Sequence, residues 1–232
     1  MVACVVLLFI GIQASVTVRS LQPRTVSFRS PPAGSVDRIG AATVRIDGRG
    51  GGSFDIGTGV GVGAHAVLTN AHLTHGVFTF VTTCDAMTRA VNRAQRAQDG
   101  LDLAVVVTGG PDVVPVELAP NDPQPGQKVT IAGYPAGQRT IAEARIEGTL
   151  TRNGTPVLRF SPEPHPGQSG SPLIDDKGRL VAIAYAEDTV GGQGLAIPVS
   201  QIRAALDRWS SSGLQLAASG DPGSIDPPTC PA

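Results

Sequence analysis

The chain has little aromatic content, 4%, with one Trp, two Tyr and six Phe, which together with its Gly, Pro, Val and Thr favours short strands and turns over long helices. Charge is also sparse. Only 16% of residues are charged and the formal net charge is −1, with Lys and Arg scattered along the chain. No basic face stands out as nucleic-acid binding requires, and nucleic acid is excluded as an expected partner. The three cysteines include no CxxC pair, and the four histidines, His65, His72, His75 and His165, do not combine with them into a zinc-ligand spacing. No metal and no cofactor is expected. Cys4 lies in an apolar leader, whereas Cys84 and Cys230 lie beyond it and are a candidate disulfide in an oxidising compartment. Long helical patterns are scarce as well.

What is present is Gly (29), Pro (19) and many Val, Thr and Ala, within 232 residues that are 41% hydrophobic. That length buries a full core and favours one domain of short strands and turns. Residues 1–18, "MVACVVLLFIGIQASVTV", carry no charge and read as a signal peptide or a membrane anchor, so the remainder is expected to be exported to the periplasm, the cell envelope or the medium. A linker follows at 19–35, a structured domain at 36–212, and a flexible tail at 213–232.

Strand patterns occur in two sets. "AATVRID", "DIGTGVGVG", "HAVLTN", "GVFTFVTTC" and "LAVVVT" precede a Pro-rich crossing segment, "APNDPQPGQ". "KVTIAGYP", "EARIEGTLT", "VLRFSP", "RLVAIAY" and "GLAIPV" follow it, which suggests two small barrels or one large sandwich. A single clear helix is expected in "SQIRAALDRWSSSG", with Ile202, Ala205, Leu206 and Trp209 on one face and Ser200 as its N-cap.

Chemistry is concentrated in "GQSGSPLID". A serine nucleophile needs an adjacent base, an acid that orients the base, and backbone N–H groups aimed at the developing oxyanion. Gly167 and Gly170 permit a tight turn around Ser169. His72 ends an apolar strand in "VLTNAHL", and Asp102 precedes the apolar strand of "GLDLAVVV", where partial burial suits an orienting acid. His65, His75 and His165 read as surface or neighbouring residues, and Tyr134 and Tyr185 as packing residues.

The stretches "TGVGVGAHAVLTNAHL", "DLAVV", "GQSGSPLIDDKGRLVAIAY" and "GLAIPVSQI" resemble the trypsin-like, chymotrypsin-fold serine proteases, in particular the bacterial high-temperature-requirement type and its exported actinobacterial members. The resemblance covers residues 36–212. It implies an all-β, two-barrel fold with a C-terminal helix, and a serine endopeptidase acting on protein or peptide substrates through an acyl-enzyme. It assigns His72 as general base, Asp102 as its orienter, Ser169 as nucleophile, and the N–H groups of Gly167 and Ser169 as the oxyanion hole. Ser171, where most members carry glycine, is similar to the glutamyl endopeptidases. Gln168 stands where Asn or Asp is usual and is expected to be exposed in the turn. No peptide-binding module follows the protease-like region, so the expectation is an enzyme that acts alone or is guided by its N-terminal segment. The other reading of the same fold is a catalytically inactive binding protein at the cell surface, against which the presence of all three triad residues counts.

The residue preferred before the cut bond is expected to meet Glu163, six positions before Ser169, or small walls formed by Ala184, Ala186 and Ala196. With Glu163 turned to solvent among the prolines of "SPEPHPGQ", a small apolar side chain is favoured first, a basic one second and an acidic one last.

Overall fold

The structure is a computed structural model that describes residues 36–50, 53–76, 78–109, 113–188, 192–212 and Cys230. The leader, the linker and all of the tail except Cys230 lie outside the described residues, as do the side chains of residues 36, 37, 50, 53 and 186–188.

Twelve strands form two closed antiparallel barrels. In the first, β1 (Thr43–Gly50), β2 (Ser53–Gly63), β3 (Ala66–Thr69), β4 (Phe78–Thr82), β5 (Thr88–Arg96) and β6 (Ala104–Thr108) run in the order β1-β2-β3-β6-β5-β4. In the second, β7 (Lys128–Gly133), β8 (Thr140–Arg152), β9 (Thr155–Ser161), β10 (Pro172–Ile174), β11 (Leu180–Asp188) and β12 (Gln193–Pro198) close in the order β7-β8-β9-β12-β11-β10. A short helix, α1 (Val36–Ala42), precedes β1, and α2 (Val199–Ser211) follows β12. This is the two-barrel fold expected, not a sandwich. Two elements depart from the sequence reading. Ala41 and Ala42 end a helix instead of opening a strand, and β5, whose "TRAVNRAQR" reads as polar, pairs with both β4 and β6.

Successive residues along the strands feed different cores, as a period of two requires. Val67 and Val106 point into the first barrel with Val44, Ile46 and Val81. Their neighbours Leu68 and Val105 point the other way, into a shared core with Ile174, Ile183 and Ile197 of the second barrel and Ile202 and Trp209 of α2. Leu173, Ala182 and Ala196 fill the second barrel together with Phe160. A strand buried on both faces has little use for polar alternation, which explains the continuous apolar runs.

Branched aliphatic side chains thus supply most of the core, consistent with the shortage of aromatics. The stretch that leads into the crossing segment is tied to both barrels: Val116 N–H donates to the Gly61 carbonyl at 2.9 Å, and Leu180 N–H donates to the Glu117 carbonyl at 2.8 Å. Asp122 then reaches α2, where its carboxylate accepts the Ser200 N–H at 2.8 Å and the Ser200 hydroxyl at 2.7 Å. Ser200 is therefore not the N-cap expected of it. Pro198 occupies that position with no side-chain cap, and a carboxylate distant in sequence does the work.

Cys84 and Cys230 are joined by a disulfide across 146 residues, with Cα atoms 5.1 Å apart. Among the described residues, no helix is long and apolar enough to cross a membrane.

Candidate active site

β3 and β6 are antiparallel neighbours with Thr69 opposite Ala104, so the residues just after β3 and just before β6 emerge side by side. That register brings together His72 and Asp102, 30 residues apart in sequence. After β3 the chain turns through a 3-10 segment, Ala71–Thr74. Leu73 plugs the first barrel's interior, which leaves its neighbour His72 facing outward. The Asp102 carboxylate grips this turn twice: one oxygen accepts the His72 backbone N–H at 2.9 Å, and the other lies 2.6 Å from Nδ1. Asp102 is in turn anchored through its carbonyl, which accepts from Asn70 Nδ2 at 2.8 Å. Asn70 is fully buried. Its role was missed in the sequence, although it sits two residues before His72, because the bond it makes is across strands.

The Ser169 turn is built by the second barrel. Gly167 (φ +98°) and Gly170 (φ +83°) both adopt left-handed backbone, and a Cβ on either would strike a carbonyl oxygen, of Tyr134 or of Thr58. Gln168 is not the exposed residue expected: it is 7% exposed, because its side chain folds back to accept the His165 N–H at 2.7 Å while its own N–H donates to the His165 carbonyl at 2.9 Å. This small ring replaces what water would otherwise satisfy. The N–H groups of Gly170 and Ser171 are also used, by Ala184 and Gln168. Those of Gly167 and Ser169 meet no backbone acceptor among the described residues, so both are open to a ligand.

The two halves are tied at Thr58 of β2, whose N–H donates to the Ser169 carbonyl at 2.8 Å and whose carbonyl accepts from the Thr69 hydroxyl at 2.6 Å. Beside Ser169 lies a cleft of about 190 Å³ lined by Pro164, His165, Pro166, Gln168, Ala184 and Tyr185. Between Ala184 and Ala186, β11 carries a bulge opposite β12, and Tyr185 is the extra residue. A bulge re-aims a side chain. Tyr185, expected only to pack, thereby comes to line the cleft; burial is the main cause that pushes its phenol above the usual 10.0, opposed by the charge and hydrogen bond of Arg152, with a smaller upward push from the Asp102 carboxylate. Tyr134 does pack: it is buried, its hydroxyl donating to the Thr43 carbonyl at 3.4 Å.

Of the other residues singled out for substrate binding, Ala184 lines the cleft and Ala196 is paired with it across β12 but fully buried in the second barrel's core. Glu163 is exposed, lies beside Gly192 and is not part of the cleft lining. Ala186 pairs through its backbone with Leu195, and its side chain lies outside the description. His165 lines the cleft, and His65 and His75 are not among its lining residues.

The profile of the trypsin-like peptidase domain matches residues 57–183. The serine protease Do-like HtrB of Bacillus subtilis is 28% identical over 167 residues, covering 63% of this chain and 36% of that protein. Relatives of this kind are longer, and the chain spans between 36% and 45% of their length. Among solved structures, the active form of the Rv3671c protease from M. tuberculosis superposes with a TM-score of 0.66 at 21% identity, covering 84% of this chain and 93% of that one. The HtrA-type protease AlgW with tripeptide gives 0.68 at 22% identity, covering 77% and 63%. These two likenesses establish the fold.

Proposed function

Because this chain belongs to the trypsin-like peptidase family, we propose that it is an exported serine endopeptidase that cuts peptide bonds through an acyl-enzyme. The observation that carries this reading is the pairing of His72 with Asp102 at 2.6 Å, on the same Thr58-linked framework as a serine turn with two open N–H groups. Asp102 holds the imidazole by Nδ1, which leaves Nε2 as the basic nitrogen. Nε2 accepts the Ser169 hydroxyl proton as the oxygen attacks the substrate carbonyl carbon. The negative charge on the former carbonyl oxygen is met by the N–H groups of Gly167 and Ser169, fixed dipoles that need no reorganisation. His72 then gives its proton to the departing amine as the C–N bond breaks, and water hydrolyses the remaining ester by the same steps in reverse. No cofactor enters these steps. Relatives named as serine proteases support the activity.

Substrates are proteins or peptides. The small cleft walled by Ala184, with Glu163 outside it, supports a small apolar residue before the cut bond. A peptide library read with the parent and with Glu163→Gln checks this: a strong Arg or Lys preference that vanishes in the variant would reverse it. Export is supported by the uncharged leader and by the Cys84–Cys230 disulfide, which persists in oxidising compartments. The protein is expected in the envelope or medium fraction of cells, where anchoring through residues 1–18 distinguishes the former.

The decisive experiment is labelling with a fluorophosphonate. Modification is expected at Ser169 and is lost in Ser169→Ala, which keeps its fold because one oxygen at a partly exposed turn adds little packing. A folded parent that resists the probe would rule the enzyme out.

A further inference from the structure

We infer that Thr58 is a positioning residue for the oxyanion-binding turn, and that its hydroxyl sets the direction of the Gly167–Gln168 peptide; the inference rests on the serine endopeptidase reading. Thr58 lies in the middle of β2 and is fully buried. Its hydroxyl sits between two groups of the second barrel, accepting the Tyr134 N–H at 3.0 Å and donating to the Gly167 carbonyl at 2.7 Å. The roles are not interchangeable. A backbone N–H can only donate, so the hydroxyl must accept from Tyr134, and its single proton is left for the Gly167 carbonyl.

That carbonyl belongs to the peptide lying between the two open N–H groups, of Gly167 and Ser169. Gly167 has no side chain to restrain it, and the peptide that follows is held at its two ends: its N–H donates to the His165 carbonyl at 2.9 Å within the turn, and its carbonyl accepts from the Thr58 hydroxyl. The Thr58 hydroxyl is the restraint that comes from the other barrel. The same residue's N–H fixes the next carbonyl but one, that of Ser169, at 2.8 Å. Its own carbonyl takes the Thr69 hydroxyl at 2.6 Å, on the strand that leads to His72. One residue of the first barrel therefore sets the spacing of both oxyanion donors and ties it to the base.

Thr58→Val keeps the shape and removes the hydroxyl, whereas Thr58→Ser keeps the hydroxyl and removes a methyl. The expected result for Thr58→Val is a fall in kcat of about tenfold to a hundredfold with KM within about threefold, because donors displaced by a fraction of an ångström lose the transition state first. Thr58→Ser is expected to restore kcat to within about threefold of the parent. A second readout is independent of catalysis: hydrogen exchange of the peptide spanning 164–172 is expected to be about tenfold faster in Thr58→Val than in the parent or Thr58→Ser, with β6 unchanged. Thr58→Ala, which adds no methyl, is the second hydroxyl-free variant should Thr58→Val fail to fold. Parental kcat and parental exchange in a folded hydroxyl-free variant would overturn the inference. A parent that neither turns over peptides nor takes the fluorophosphonate would overturn the enzyme reading instead, and the exchange comparison would still decide whether Thr58 holds the turn.

Discussion

On the proposed mechanism, Asp102→Asn is expected to separate catalysis from stability. The two carboxylate oxygens have different partners: one accepts the His72 backbone N–H at 2.9 Å and the other faces Nδ1 at 2.6 Å. Asparagine has the same shape but one acceptor end and one donor end. The backbone N–H can only donate, so it keeps the amide oxygen, and the NH₂ group is forced against Nδ1. Nδ1 must then accept, the ring proton moves to Nε2, and the nitrogen that should receive the Ser169 proton is no longer a base. Where this tautomer swap occurs in a triad, kcat falls about 10⁴-fold, equivalent to about 5.5 kcal/mol of transition-state stabilisation. Stability responds far less. The His72 and Asp102 side chains are 43% and 27% exposed, and ion pairs so open to water contribute at most about 1 kcal/mol. A shift in the unfolding midpoint of no more than about 4 °C is therefore expected. The assay is kcat on a peptide substrate, with the phosphonylation rate of Ser169 and thermal unfolding measured on the same preparation. More than about a tenth of parental kcat, a loss under about 1.4 kcal/mol, would refute the tautomer argument, as would inactivity that merely follows unfolding.

Three further outcomes are expected. Gly170 and Gly126 share a φ of +83°, but a Cβ at Gly126 meets nothing within 4 Å, whereas at Gly170 it collides with the Thr58 carbonyl oxygen; Gly126→Ala should cost about 1 kcal/mol by denaturant unfolding and Gly170→Ala more than about 3 kcal/mol, and equal costs would show that conformation, not space, governs the turn. Asp122→Ala leaves the first turn of α2 without its carboxylate and should lower stability by about 1–2 kcal/mol, read from the fluorescence of Trp209, the chain's one tryptophan, with no change meaning that the contact is ornamental. The chain's two tyrosines, Tyr134 and Tyr185, are both held above the usual 10.0, burial being the main cause, so the native protein should form phenolate at higher pH than the denatured one; the stability this adds is complete below about pH 10 and lost as pH rises through the native values, and coincident absorbance titrations would disprove it.

Local features were readable from the residues alone. The Gly-flanked serine, the histidine at a strand end and the aspartate before an apolar strand each depend on a few neighbours in sequence, as does the 3.6-residue spacing that places Ile202, Ala205 and Trp209 on the buried face of α2. What depends on partners far along the chain was not. Strands such as β3 and β6 are buried on both faces and lack polar alternation, and whether the strands close into two barrels or stack as a sandwich is decided by long-range pairings such as β1 with β4 and β3 with β6. β5 is mostly polar at its exposed positions and is a strand because β4 and β6 complete its backbone hydrogen bonds. Asn70, Gln168 and Asp122 are unremarkable polar residues until folding sets a carbonyl, an amide or a helix end against them, and the bulge at Tyr185 exists only in the register of β11 against β12. Side-chain type decides which chemistry a residue can perform, but hydrogen bonds are short and directional, so only the tertiary fold decides which partner lies within reach.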